Sequence, residues 1–339
     1  MSAWKRAIGS AALELAYWSG AADALARRSG SIGAILRLER VKPRRSDRFQ
    51  PLRAREITPE FLDALLRALR RWNIDVIAMD DLQQRIEQPQ PRRFVCLTFD
   101  SGYRDFLDHA LPALSHHKAP FTLYVPGIFP DGLGELWWLA LEQVIAAQDR
   151  IGLMMGGAEQ RFSCASASDK QQSFATLETW LLSLSAAERS IAINDLCNRY
   201  GVDLKAIGRA ETMNWNEIAQ IAANPLATVG SAGLNHVALA GLERATAERE
   251  IRMGRAVIEA ALGASARHFA YPFGGRRSFG QREILALEQE GFSTAVTTIP
   301  GVIVGSDRNR LLALPRVTWD GRRHSLRAMR VMLAGLIPS

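Results

Sequence analysis

Eight short apolar, β-rich runs, most of them separated by helical segments, narrow the architecture of this chain more than any other feature. The clearest is Phe94 to Phe99, Phe-Val-Cys-Leu-Thr-Phe. A continuous apolar run without alternation reads as a strand buried on both faces, as in a parallel sheet. It ends at Asp100-Ser101-Gly102, and a helical segment from Arg104 to His117 leads to the next strand, Phe121 to Val125. Strand, loop, helix, strand is the grammar of a parallel sheet. The remaining strand candidates are Gly33 to Val41, Ile74 to Met79, Ala227 to Gly230, His268 to Phe273, Thr294 to Thr298 and Leu311 to Val317. Helices are read between several of them: one opening at Thr58-Pro59-Glu60 and running through Trp72, then Glu243 to Leu262 and Phe279 to Glu290. Thr58 supplies the N-cap hydroxyl and Pro59 the preset first helical position. Seven or eight strands alternating with helices predict a (β/α) barrel rather than an open sheet, with chemistry on the loops at the C-terminal strand ends. Asp100 stands at such an end.

The strand rhythm is interrupted over residues 131–215, mostly helical in pattern and read as an insertion. Residues 1–32 read as a helical appendage, with an amphipathic helix over 3–27, residues 33–320 as the barrel, and residues 321–339 as a basic amphipathic tail. With 47% apolar and 23% charged residues, disordered and low-complexity classes are excluded. The net charge of +7 is uneven: residues 1–55 carry +8, residues 56–315 carry −5 and residues 316–339 carry +4. No helix-turn-helix, zinc-finger or aromatic RNA-binding signature accompanies the basic ends, which argues against a nucleic-acid partner. They suggest peripheral contact with an anionic membrane surface instead, with packing of the C-terminal stretch against the barrel as the plainer reading. No window resembles a membrane span, and Glu14, Asp23, Arg27 and Arg28 break the N-terminal apolar stretch. Three cysteines, Cys96, Cys164 and Cys197, lack paired spacing, so a reducing, cytoplasmic setting is expected, at most peripheral to the inner membrane.

Three segments together resemble the polysaccharide deacetylase family, the NodB homology domain that includes nodulation-type chitooligosaccharide deacetylases. They are Leu97-Thr98-Phe99-Asp100-Ser101-Gly102-Tyr103-Arg104-Asp105, Val229-Gly230-Ser231-Ala232-Gly233-Leu234-Asn235-His236, and Phe269-Ala270-Tyr271-Pro272-Phe273-Gly274. Met213 to Ile218, Thr297-Thr298 through Pro300-Gly301, and Leu314-Pro315-Arg316-Val317 extend the likeness across residues 33–320. The resemblance implies a distorted (β/α) barrel that hydrolyses N- or O-acetyl groups on an oligo- or polysaccharide. In the family, one Asp and two His hold a divalent metal such as zinc, which lowers the pKa of water towards about 7 and polarises the carbonyl. A second Asp acts as base, and a backbone N–H helps hold the oxyanion.

Carried over residue by residue, the base falls on Asp100, with Tyr103 beside it in the first motif. The metal-binding Asp falls on Ser101, and the two histidines fall on Ala232 and His236. One metal ligand of three remains, and catalytic zinc sites usually keep three. No bound cofactor is therefore expected from the residues as written. The third-motif arginine of many members corresponds to Ala270, Glu39 stands where members often carry histidine, and the late histidine has no match except His324 in a polar context. Pro272, Phe273 and Trp138 are the substrate-binding candidates. Each residue also has a plainer reading: Asp100 as a turn cap, His236 as a rim histidine, one of Trp137 and Trp138 as core. Two functions follow, a deacetylase impaired at its metal site, or an inactive glycan- or partner-binding pseudoenzyme of exopolysaccharide or envelope metabolism.

Overall fold

The computed structural model describes residues 13, 17–18, 28–89, 92–323 and 325–337. Seven parallel strands close a barrel: β1 (Ser31–Leu38), β2 (Phe94–Asp100), β3 (Phe121–Val125), β4 (Ala227–Ser231), β5 (His268–Ala270), β6 (Thr294–Pro300) and β7 (Leu314–Thr318). Each strand pairs with the next in chain order, and β7 returns to β1 through Leu36↔Val317 and Arg37↔Thr318. The circle is uneven. β1 and β2 run in register from Gly33↔Phe94 to Leu38↔Phe99, but β4 and β5 meet at Phe269↔Ser231 alone, and the β6–β7 register slips between Val296↔Leu314 and Pro300↔Arg316. The architecture is the (β/α) barrel that the strand rhythm predicts, distorted as the resemblance implies.

The eighth strand candidate, Ile74 to Met79, shrinks to Asp75–Val76 outside the circle. Its place on the edge of β2 reaches only Phe94 and Val95, because β3 takes that edge from Leu97 onward. His268 to Phe273 also shortens, leaving Tyr271, Pro272 and Phe273 to a loop.

Alternation along the strands decides what faces the barrel interior. Phe94 and Cys96 of β2, Ile35 of β1 and Leu314 of β7 pack together inside with Tyr124, Ala232, Ala270 and Val296. Val95, Leu97 and Phe99 point outward into the core under the helices. Continuing the period, Arg37, Thr98, Asp100 and Arg316 all point inward. Phe99 is braced by Phe106 and Phe121, with ring centroids 4.9 and 6.4 Å away. Burying such a ring is worth about 1.5–3 kcal/mol, so the strand that carries Asp100 is firmly held.

The helix Pro59–Arg71 starts as predicted, with the Thr58 hydroxyl accepting the Phe61 N–H at 3.2 Å. The helix read over Arg104 to His117 divides into a π-helical turn, Phe106–Ala110, and an α-helix, Leu111–His117. Pro112 lacks the N–H that a continuous α-helix would direct at the Asp108 carbonyl, and the turn before it widens. The C-terminal helix Leu326–Leu333 buries Ala328, Met329, Val331, Met332 and Leu333 in the same core as Leu62, Leu65 and Leu69. Its apolar face is thus already covered, which corrects the expectation of membrane contact through this segment. Among the described residues, no helix is long and apolar enough to cross a membrane. The helix read over 3–27 lies outside the described residues apart from Leu13, Tyr17 and Trp18.

The interrupting segment is not wholly helical. Between its helices Trp137–Ala147 and Ala167–Ser183 lies an antiparallel hairpin, Arg150–Met155 with Ala158–Ser163. Gly156 and Gly157 form its two-residue turn at φ of 60° and 85°, a conformation glycine adopts without steric cost. Two further helices, Ala186–Tyr200 and Leu204–Glu211, complete it, and its apolar residues form a core of their own around Trp137, Leu141, Phe174 and Leu196.

Candidate active site

At the C-terminal strand ends, a cavity of about 210 Å³ is lined by residues from β1, β2, β6, the loops after β2, β4 and β5, and the insertion. Asp100, Ser101, Ala232, His236, Pro272, Phe273 and Trp138 all line it. The motifs singled out in the sequence are therefore brought to one place.

Tyr103 is different. It is buried behind the wall, and its hydroxyl accepts the Trp138 indole N–H at 2.8 Å while the Arg40 guanidinium lies 4.3 Å above its ring. Burial pushes its phenol well above the ordinary range. Its observed contacts fix Trp138 rather than face the cavity. Trp137 and Trp138 are both buried in the core of the insertion, beyond the expectation that one of the pair is core, and Trp138 also lines the cavity. His324 lies outside the described residues.

Asp100 is held by two arginines that sequence reasoning did not assign to the site. Arg316 of β7, fully buried, donates from both terminal nitrogens to the two carboxylate oxygens at 2.7 and 3.0 Å. Arg37 of β1 donates from Nε at 2.6 Å. Burial alone would raise the Asp100 pKa, but the two guanidinium charges outweigh it and hold it near 2. The two arginines come from two other strands: β1 pairs with β2 and β7 with β1, so closure of the barrel turns both side chains into the same interior. A charged residue at an inward position of an apolar strand was the available signal: Arg37 follows Ile35 and Arg316 follows Leu314 at a spacing of two. Arg37 also donates to Glu39 at 3.0 Å, and Arg55 pairs with Glu178 of the insertion at 2.8 Å. The position where the family often has histidine therefore holds a carboxylate already engaged by Arg37.

His236 sits among the rings of Phe273, Phe129 and Trp138, at 5.3, 5.6 and 6.0 Å. Burial lowers its pKa to about 4 against the opposing pull of Asp100 and Glu39, so its imidazole is neutral at physiological pH. Its loop is pinned from outside. The Asn235 backbone N–H donates to Glu250 at 2.9 Å, and Gly127 and Ile128 donate to the Gly233 and Leu234 carbonyls at 2.9 and 3.1 Å.

Backbone strain collects at this cavity. Among the described residues, five other than glycine have positive φ, and Ser101 (74°), His236 (55°) and Phe273 (61°) are three of them. They come from three different loops and line one pocket. Such conformations cost of order 1–3 kcal/mol each and persist where the surroundings enforce them, commonly at functional sites.

The metal implied by the resemblance does not fit these residues. Among the described residues, no group of three His, Cys, Asp or Glu side chains stands close enough to hold an ion. His236 is the one strong donor at the three ligand positions, and the neighbouring Asp100 carboxylate is occupied by Arg37 and Arg316. A larger cleft of about 900 Å³ lies between the 42–49 loop and the insertion and shares no lining residue with the strand-end cavity. Its Arg40, Lys42 and Arg45 are consumed by ion pairs with Asp105, Glu211, Glu56 and Glu142. Strain and the aligned motifs both favour the smaller cavity.

The sequence model of the polysaccharide deacetylase family matches residues 87–136 and 195–292, leaving 137–194, within the interrupting segment, unmatched. Among solved structures, the deacetylase PplD from Streptococcus pyogenes, in complex with acetate, has a similar fold: TM-score 0.58 at 12% identity, covering 88% of this chain and 97% of that one. IcaB from Ammonifex degensii gives a TM-score of 0.54 at 17% identity, covering 90% and 98%. A de-N-acetylase from Aggregatibacter actinomycetemcomitans gives 0.56 at 12% identity, covering 89% and 99%. At such identities these likenesses speak for the fold. No curated protein matches the sequence. The family match, the closed barrel and the three aligned motifs together lead to one conclusion: the chain carries a polysaccharide deacetylase domain.

Proposed function

We propose that the chain is a saccharide-binding member of the polysaccharide deacetylase family in which metal-dependent deacetylation is lost or severely impaired. The carrying observation is the make-up of one cavity. Its aromatic wall (Trp138, Tyr271, Phe273) and three strained loop residues are in place, while two of three metal-ligand positions are Ser101 and Ala232 and Asp100 is clamped by Arg37 and Arg316. Aromatic faces beside charged hydrogen-bonding groups suit a sugar ring, which offers apolar C–H faces and a rim of hydroxyls. A carboxylate held near pKa 2 is a weak base towards water, because its proton affinity is spent on two guanidiniums. A reducing compartment belongs to the same reading, supported by the burial of all three unpaired cysteines, Cys96, Cys164 and Cys197.

The test pairs calorimetric binding of chitooligosaccharides and other acetylated glycans with an acetate-release assay, with and without added zinc. Binding without acetate release is expected. Rapid deacetylation by the purified chain would end the proposal.

A further inference from the structure

The insertion contributes one residue to this region whose chemistry nothing above uses. Arg189, on the helix Ala186–Tyr200, is only 9% exposed. Its guanidinium lies 5.5 Å over the Phe273 ring, which lines the cavity, and 5.9 Å from the Trp137 ring. The other three arginines of the region have carboxylate partners: Arg37 and Arg316 with Asp100, Arg55 with Glu178. Arg189 has none. Among the described residues its side chain makes no hydrogen bond and no ion pair within 4.0 Å. The carboxylate whose charge reaches it most, Glu135, is exposed and takes hydrogen bonds from Ser190 and Asn194 instead. Arg189 is not itself a lining residue; it is joined to the cavity through Phe273, whose ring does line it.

Among the described residues the Arg189 guanidinium has aromatic stacking, worth about 0.5–2 kcal/mol, as its contact, which leaves its N–H donors open to an incoming acceptor. Five N–H donors in a planar fork match a carboxylate in bidentate fashion. The two carboxylates that line the cavity, Asp100 and Glu39, are each paired with arginines, so an incoming anion would meet little repulsion. From these observations we infer that the pocket takes an acidic saccharide, one carrying a carboxylate of the uronic acid kind, with Arg189 as the residue that recognises the anion. This rests on the saccharide-binding reading above and adds the charge of the ligand to it.

The experiment compares binding of a galacturonic acid tetramer with that of neutral chitotetraose, by calorimetry, to the full chain and to its Arg189→Leu, Arg189→Gln and Arg189→Lys variants. The acidic oligomer is expected to bind the unmodified protein about tenfold or more tightly than the neutral one, the scale of a charge-assisted hydrogen bond. Its affinity should fall with added salt. Arg189→Leu and Arg189→Gln should remove the preference while leaving neutral binding within about twofold, and Arg189→Lys should retain part of it. Equal binding of the two oligomers by the unmodified protein, which needs no variant to fold, overturns the inference and leaves the saccharide pocket standing. So does a loss in Arg189→Leu that strikes both oligomers alike with an unchanged unfolding midpoint. Binding of neither oligomer overturns both this inference and the reading on which it rests.

Discussion

Replacing Arg316 by methionine removes the strongest hold on Asp100 while keeping a side chain of comparable length in the barrel. The buried guanidinium also donates to the Thr297 carbonyl at 2.7 Å and the Thr98 hydroxyl at 3.2 Å, so the substitution leaves three acceptors short of a donor. Removing one partner of a buried ion pair costs about 3–5 kcal/mol, because the other charge is left uncompensated. Arg37 remains 2.6 Å from the carboxylate but is shared with Glu39, which sets the expectation at the lower end, about 3 kcal/mol. In a domain of this size that corresponds to a fall in Tm of roughly 6 °C, at about 2 °C per kcal/mol. The loss has a pH signature. Asp100 titrates near 2 in the folded protein against an ordinary 3.8, so its ionised form adds stability that is complete above pH 3.8 and disappears as pH falls through 2. At about 1.4 kcal/mol per pH unit this is roughly 2 kcal/mol. Scanning calorimetry of both proteins from neutral pH into acid should show the gap in stability narrowing below pH 3.8. The double variant Asp100→Asn with Arg316→Met, which carries no bare charge, should recover part of the loss. A loss under about 1 kcal/mol at neutral pH, or a gap indifferent to acid, would refute the argument that the pair is buried and mutually dependent.

Ser101→Asp combined with Ala232→His should bind zinc near one ion per chain by elemental mass spectrometry, whereas Ser101→Asp alone should not, since two loops must supply the ligands together; no metal in the double variant would mean that the loops no longer hold ligand geometry. Tyr103→Phe deprives the buried Trp138 N–H of its acceptor and should cost about 1–3 kcal/mol, with a changed near-ultraviolet spectrum, and an unaltered unfolding midpoint would count against the wall-bracing role. His236, near 4 when folded and 6.5 in an open chain, resists protonation, so stability should fall by up to about 3 kcal/mol as pH drops from 6.5 through 4. His236→Gln should flatten that window, and a persistent slope there would assign it to another group. Gly254→Ala would press a methyl into the Gly233 backbone, so it should cost about 1–3 kcal/mol in thermal unfolding and weaken ligand binding by shifting the His236 loop.

Much of the barrel was readable in one dimension because a parallel strand buried on both faces leaves an unbroken apolar run, as Phe94 to Phe99 and Phe121 to Val125 do. Caps were equally local: Thr58 and Pro59 marked a helix start because the relevant hydrogen bond spans three residues. The hairpin in the insertion was missed although Gly156-Gly157 is a two-residue turn signal, since the strand Ala158–Ser163 is mostly exposed and offers no apolar pattern. Ile74 to Met79 misled for the opposite reason: it is apolar enough for a barrel strand, but the edge it would need is taken by β3.

The order of strands and helices, the three motif loops, and the presence of Ser101 and Ala232 where the resemblance places metal ligands are legible along the chain, because each is carried by residue identity or by periodicity over a few positions. The tertiary structure alone decided what surrounds Asp100. Arg37 and Arg316 are 63 and 216 residues away along the chain, and no local pattern marks them as neighbours. They meet there because closing seven strands sets β1 between β7 and β2, with side chains of one parity turned inward. Arg189, from a segment outside the barrel, comes to lie over the Phe273 ring at the pocket wall through tertiary packing. Its solitude, like the strain at Ser101, His236 and Phe273, is a property of three-dimensional neighbourhood that a linear text does not carry.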